Sequence, residues 1–384
     1  MDLRILWHSC APFVFSGYGI VTKNVALRLG QSYSLAISTY YGLHPGASIN
    51  IAGIRVMPTV DQNYGEDSVK HYIEKFKINL PILASDFWPF KWFANLPSSM
   101  LYGPIDSFDY SSEDIQVMKT YSYFIPCSEF GGRVYRKLTK NEPTAVIPHG
   151  VDTRVYVPNP QVPSRQLFNI PSNKFVWGIV SANSDPEPRK GWDDMFIALS
   201  EFKKKFPNER KKWMVFAYTK PVDARGYNLP ELAKKLGLEK NILFPEHLPQ
   251  MVGLPDLEMA KLYSSFDVLL NASRREGFCI PIIEAQACGI PIIASDSSSL
   301  PELVKGHGWM VKMGEKVFAP KGWECRKVDR DDLLKKMEDA YFNAELRRTY
   351  ASQSLQFAQK FDWSKIVSEQ WIPLLEKLKS TSFK

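Results

Sequence analysis

The chain has 384 residues, with 48 Lys and Arg against 41 Asp and Glu, a formal net charge of +7 and a hydrophobic share of 45%. That length and apolar content predict two globular domains, or three, each with a full core. No apolar run reaches the ~18 residues of a membrane span, and the charge is too modest to call for nucleic acid as a partner.

The elements alternate from the start. Leu3 to His8 reads as a first strand rather than a signal peptide, and Ser16-Gly17-Tyr18-Gly19 follows as a glycine turn before a helical pattern. Further strand-like runs cover Leu35 to Thr39, Leu80 to Ala84, Phe124 to Pro126 and Ala145 to Ile147. Helices are predicted over about Asp67 to Phe76, Ser111 to Tyr121 and Glu129 to Leu138. Such alternation predicts a doubly wound α/β domain with a parallel sheet. Asp86 and Asp106 end strand-like runs, where open α/β sheets place their sites. Trp88 and its neighbours Phe87, Phe90, Trp92 and Phe93 read chiefly as core, with an acceptor platform or membrane-facing loop as the alternative. A proline-dense connector puts the boundary near Pro158, giving domains 1–158 and 159–362.

The second domain restarts with the buried-strand pattern of Lys174 to Ala182. Asp193 to Phe206 is a helix with acids in its first turn and lysines in its last. Met214 to Thr219, Asn241 to Phe244 and Val268 to Asn271 read as strands. Leu229 to Leu236, Asp256 to Ser265, Asp331 to Asn343, Ala344 to Lys360 and Trp363 to Leu378 read as helices. Five scattered cysteines without C-x-x-C spacing read as reduced thiols and imply no metal site.

The stretch from Arg275 to Ser295, REGFCIPIIEAQACGIPIIAS, carries the most information. Pro281 suits the first position of a short helix and Gly289 its left-handed stop. Ile290 to Ala294 then reads as a buried parallel strand. The backbone N–H groups of Phe278, Cys279 and Ile280 face the space before the helix and, with the positive end of its dipole, make an anion site. Glu276, in the loop, and Glu284, read in the first turn, flank that site as acceptors for hydroxyls. A diphosphate with a sugar at each end has this shape. Upstream, Arg189 and Lys190 in SDPEPRKGWDD sit beside another helix start, where a guanidinium fork and an ammonium complement a diphosphate.

Ser273, Glu276, Gly277, Phe278, Glu284, Ala285, Ala287, Gly289 and Pro291 stand in the register S-x-x-E-G-F-G-x-x-x-x-E-A-x-A-x-G-x-P. The stretch resembles the E-x7-E signature of retaining glycosyltransferases of the family-4 type. Cys279 departs from the usual glycine. The resemblance is specific from about Ser181 to Val304. It implies the GT-B fold, two Rossmann-like doubly wound domains facing a central cleft, and a hexose moved from a nucleotide diphosphate sugar to a hydroxyl acceptor. Glu276 would meet the sugar near its anomeric carbon and Glu284 the ribose. Arg189, Lys190, Gly17, Gly19 and the Gly277 to Ile280 backbone would bind donor phosphate. Asp106 falls near a histidine of many relatives that faces sugar and acceptor, and the final helix (363–384) would cross back onto the first domain. Ala182-Asn183-Ser184 stand where many relatives carry a second arginine, and Ser297 to Val304 resembles a G-G-x-x-E-x-V segment with serines in place of its glycines.

These observations predict a UDP- or GDP-sugar donor, a glycan, lipid or small-molecule acceptor, and no required metal or other cofactor. The expected location is cytoplasmic. Lysine clusters read as solvated helix faces, with a basic surface that docks on acidic lipid, peripherally on the inner membrane face, or on nucleic acid as the alternative. Three rivals are a nucleotide-sugar epimerase of the same fold, a glycosyltransferase acting on nucleic acid, and a nucleotide-sugar-binding protein without turnover.

Overall fold

The computed structural model describes residues 2–184, 188–245, 253–319 and 321–382. Contacts divide the chain into two compact units. Met1–Ile105, Asp109–Gly150 and Trp363–Lys384 form the first, and Asp106–Phe108 with Val151–Asp362 form the second. The division therefore falls at Gly150, and residues 151–158, read from sequence as part of the first domain, group with the second. The proline-dense connector also contains a short helix, Gln161–Leu167.

The first unit is built on strands β1 (Arg4–Cys10), β2 (Ser34–Tyr41), β3 (Ile49–Ile51), β4 (Ile54–Pro58), β5 (Leu80–Ala84), β6 (Met100–Gly103) and β7 (Tyr123–Pro126). Their order is β3-β4-β2-β1-β5-β6-β7, parallel except for the antiparallel edge pair β3–β4. Ala145 to Ile147 forms no strand. Thr144 N–H and Ile147 N–H donate to the carbonyls of Phe124 and Pro126, so the segment lies against β7 without a ladder. Helices start where short polar side chains cap them, as Ser111 and Ser128 do for Ser112–Thr120 and Glu129–Thr139. Phe87, Phe90 and Phe93 are fully buried, while Trp88 is 38% exposed. Residues 363–382 continue helically through a π-helical turn at Val367–Trp371 and belong to this unit. Trp371 packs edge-on against Trp7 and Tyr102, with centroids 5.9 and 4.9 Å apart. Such pairs add about 0.5–1.5 kcal/mol beyond the area they bury.

The second unit has strands β8 (Phe175–Val180), β9 (Trp213–Tyr218), β10 (Ile242–Leu243), β11 (Val268–Asn271), β12 (Ile292–Ser295) and β13 (Trp309–Val311) in the all-parallel order β10-β9-β8-β11-β12-β13. An antiparallel hairpin, β14 (Met313–Phe318) with β15 (Glu324–Val328), follows. Its core joins Trp177, Trp213, Phe196 and Phe202 beneath the sheet with Leu333 and Met337 of the Arg330–Phe342 helix.

Both parallel sheets follow one winding rule. The chain runs outward from β1 or β8 in one direction, then returns to the centre at β5 or β11 and runs outward in the other. The reversal lies between β1 and β5 in the first unit and between β8 and β11 in the second. Loops leaving the carboxyl ends of those central strands frame the crevice in which open α/β sheets hold ligands.

Candidate functional site

In the second unit the described segments at the reversal are residues 181–184 and 188–191, after β8, and 272–279, after β11. They are fastened to each other by backbone. Arg274 N–H donates to the Arg189 carbonyl at 2.7 Å. Gly191 has φ +65°, and a Cβ there would lie 2.1 Å from the Ala272 carbonyl oxygen, so only glycine permits this approach. Below the turn, Arg274 pairs with Asp193 at 2.7 Å and Asp194 at 2.9 Å at the start of the Trp192–Lys205 helix. The acids read from sequence as helix-dipole partners are the anchors of this buried guanidinium.

This fastening brings Arg189, Lys190 and Glu276 together. Lys190 Nζ lies 2.6 Å from Glu276 Oε1, and Arg189 Nη1 lies 3.5 Å from Oε2. Glu276 is buried at 5% exposure, whereas the side chains of Arg189 and Lys190 keep 22% and 15% of theirs. Burial alone would raise the Glu276 carboxyl, but the two cations outweigh it and hold the group below its ordinary value. The carboxylate is therefore ionised, and it is the counter-charge of both cations.

Serines hold the backbone of this loop. Glu276 N–H donates to Ser298 Oγ at 2.8 Å, and Ser299 Oγ donates to the Glu276 carbonyl at 2.8 Å. Ser297 Oγ donates to the Arg274 carbonyl at 2.6 Å, and Ser295 Oγ to that of Ser273. Sequence reasoning treated 297–299 only as glycine replacements. In the fold they are a row of hydroxyls aimed at one loop.

The helix behind the loop runs Ile280–Ala287, so Pro281 is its second residue and Glu284 lies in its second turn, not its first. It ends as expected at Gly289, with φ +74°. Gly289 N–H donates to the Gln286 carbonyl and Ile290 N–H to that of Ala285, the paired bonds of a Schellman stop. Cys279 is the residue before the helix, with φ +82° and no side-chain cap. Its thiol accepts a hydrogen bond from Asn271 Nδ2 at 3.2 Å. Burial, and then the Glu276 charge, push that thiol far above the ordinary range, so it is protonated. Glu284 is buried at 5% exposure and accepts from the Tyr263 phenol at 2.8 Å.

Asp106, Ser107 and Phe108 group with this second unit. Ser107 Oγ donates to Asp106 Oδ1 at 3.3 Å and accepts from Arg275 Nη1, so Asp106 is linked through one serine to the residue before Glu276. The Arg275 guanidinium also lies 5.3 Å from the centre of the Trp323 ring, in the turn of the β14–β15 hairpin. Asn183, in the Ala182-Asn183-Ser184 segment where the resemblance implies a second arginine, is committed elsewhere. Its amide donates to the Lys220 and Tyr227 carbonyls at 2.9 and 2.8 Å.

Gly17, Gly19, Asp86 and Trp88 lie in the first unit, at the reversal between β1 and β5. The two glycines differ. A Cβ on Gly19 would meet the Val14 carbonyl at 2.0 Å, while nothing lies within 4 Å of one on Gly17. Gly19 serves packing and Gly17 leaves backbone open to approach. Between them Tyr18 hydrogen-bonds to Asp86, and burial together with that carboxylate pushes the phenol far above its ordinary range. His8 is buried between Ser38 and Tyr64 at 3.1 and 3.0 Å, and burial lowers it to about 4, so it is neutral near pH 7. His149 is likewise structural, bonded to the Tyr102 hydroxyl at 2.8 Å and lowered by burial to about 3.

Among the described residues no three His, Cys, Asp or Glu side chains converge as a metal site would need, and no helix is long and apolar enough to cross a membrane.

Similarity to known proteins runs through the same segments. The D-inositol 3-phosphate glycosyltransferases of Segniliparus rotundus and Stackebrandtia nassauensis are 27% and 25% identical over 181 and 223 residues, or 47% and 57% of this chain. Those alignments span only 37% and 45% of the relatives' own lengths. Among solved structures, sucrose-phosphate synthase from Thermosynechococcus elongatus superposes with a TM-score of 0.76 at 16% identity, covering 99% of this chain and all of that one. HepE of Anabaena, crystallised with UDP-glucose, gives 0.73 at 17% identity, over 98% of this chain and all of its own. At such identities the likeness establishes the fold, which is GT-B. Residues 181–356, a little under half of the chain, match the family described as glycosyl transferases group 1.

Proposed function

We propose that this chain is a retaining glycosyltransferase that moves a hexose from a nucleotide diphosphate sugar, a UDP- or GDP-sugar, to a hydroxyl of a glycan, lipid or small-molecule acceptor, without a required metal. The observation that carries this reading is the buried Glu276 carboxylate neutralised by Lys190 at 2.6 Å and Arg189 at 3.5 Å, directly before the Ile280–Ala287 helix.

A donor diphosphate exchanges partners with Glu276. It takes the two cations, and the freed carboxylate accepts hydrogen bonds from the sugar's hydroxyls next to the anomeric carbon. As the glycosidic bond breaks, negative charge grows on the leaving diphosphate, and positioned cations with a helix N-terminus stabilise that state more than the ground state. The Gly277 to Ile280 backbone lines the phosphate position, and Glu284 takes the ribose hydroxyls. Asp106, tied to Arg275 through Ser107, orients the acceptor hydroxyl. On the first unit, Asp86, Trp88 and the open backbone at Gly17 supply binding surface for substrate. The names of the relatives support glycosyl transfer, and the UDP-glucose complex of HepE supports a nucleotide-sugar donor.

The test is product analysis with UDP-glucose and GDP-mannose, with and without sugar acceptors. Glu276→Ala is expected to abolish transfer while largely sparing nucleotide affinity. Lys190→Ala is expected to slow the chemical step about a hundredfold or more, as loss of one transition-state contact does. Activity persists in excess chelator. Unchanged rates in both variants, or conversion of donor to an isomer without transfer, contradict the proposal.

A further inference from the structure

Glu284 is held by residues that its motif does not contain. Tyr263 ends the Asp256–Ser264 helix but for one residue, is fully buried, and donates its phenol to Glu284 Oε2 at 2.8 Å. Tyr156, at 5% exposure in the segment that follows Gly150, faces the same carboxylate, and its ring centre lies 6.3 Å from that of Tyr263. The next residue, Ser264, accepts from Asn159 N–H at 3.1 Å, which fastens the connector to the same helix end.

An ionised carboxylate accepts only, through about four lone-pair sites. The phenols of Tyr263 and Tyr156 take part of that capacity and fix the rotamer. A phenol suits this task because it is neutral, rigid about two torsions, and brings no cation that a phosphate would claim. Burial, and then the Glu284 charge, raise the Tyr263 phenol far above its ordinary range, so it remains a donor at every working pH.

We propose that Tyr263, with Tyr156 beside it, is a positioning residue for the donor, whose phenol holds Glu284 in the orientation that receives the ribose hydroxyls. This inference rests on the assignment of Glu284 to ribose given above. A residue acting in this way sets selectivity for the ribose hydroxyls, whereas a merely structural residue weakens all ligands alike.

The experiment is calorimetric titration of the full chain with UDP and GDP, each against its 2′-deoxy and 3′-deoxy analogue. The wild type is expected to prefer a ribonucleotide by tenfold or more. Tyr263→Phe reduces that ratio to threefold or less through weaker ribonucleotide binding, with deoxynucleotide binding unchanged, and Tyr156→Phe reduces it partly. Glu284→Gln abolishes it. If Glu284→Gln removes the preference and Tyr263→Phe keeps it, or weakens both ligand classes equally, the role given to Tyr263 is overturned while that of Glu284 stands. A wild type without ribose preference overturns both.

Discussion

At the residue scale, two of the non-glycine residues with a left-handed backbone lie in the candidate site. Cys279 has φ +82° and Ser298 has φ +48°, and both stand where the family pattern carries glycine. The departures are plain in the sequence, but the reason for glycine is not, because φ is invisible there. A side chain in the left-handed region costs about 1–2 kcal/mol. At Cys279 the bond from Asn271 offsets part of this, and at Ser298 the bond from Glu276 N–H does. Cys279→Gly is accordingly expected to leave thermal stability within about 1 kcal/mol of the wild type, because relief of strain balances the lost contact and the added chain entropy. Cys279→Val, with a branch at Cβ and no acceptor for Asn271, is expected to lower stability by about 1–3 kcal/mol. Melting curves of the two variants check this, and a Val variant as stable as the Gly variant contradicts it.

At the element scale, the site is a pair of loops locked by a buried ion cluster. Asp194 keeps only 5% of its side-chain exposure, and burial raises its carboxyl despite the opposing Arg274 charge. Removing Arg274 leaves that acid uncompensated. Arg274→Met is expected to destabilise the protein by about 3–5 kcal/mol, and adding Asp194→Asn is expected to recover part of the loss. Urea titrations measure both, and additive losses without recovery contradict the lock. This anchor was not legible beforehand. The central strands were, because β5 and Val268 to Leu270 of β11 are apolar runs, and the Gly289 stop was, because one residue type decides it. Bonds between residues 80 positions apart, such as Arg274 to Asp194, leave no local pattern. Nor do the serine hydroxyls on the Glu276 loop, or the Tyr263 phenol on Glu284. Strands β3, β4, β6 and β13 were missed because they are short and their flanks are irregular, and the β14–β15 hairpin because much of it is polar. Ala145 to Ile147 misled because an apolar run beside a strand can bond to it without extending the sheet.

At the scale of the whole molecule, the chain winds the same six-strand order twice, with one antiparallel strand added at the edge of the first sheet. Each winding brings its candidate side chains to its own reversal point: Asp86, bonded to Tyr18, in one unit, and Arg189, Lys190 and Glu276 in the other. The final helical segment returns the chain to the first unit, where Trp371 closes on Trp7. The fold and the proposed donor site thus share one cause, the loops that leave the central strands. A ligand selective for the folded chain raises its melting temperature by mass action. The most direct measurement is therefore a melting screen of the wild type and of an Arg189→Ala/Lys190→Ala double variant against UDP-glucose, UDP-galactose, GDP-mannose and the free nucleoside diphosphates. The account predicts that at least one nucleotide sugar raises the wild-type melting temperature and that the double variant loses the shift; no shift in the wild type, or an equal shift in both, would contradict it.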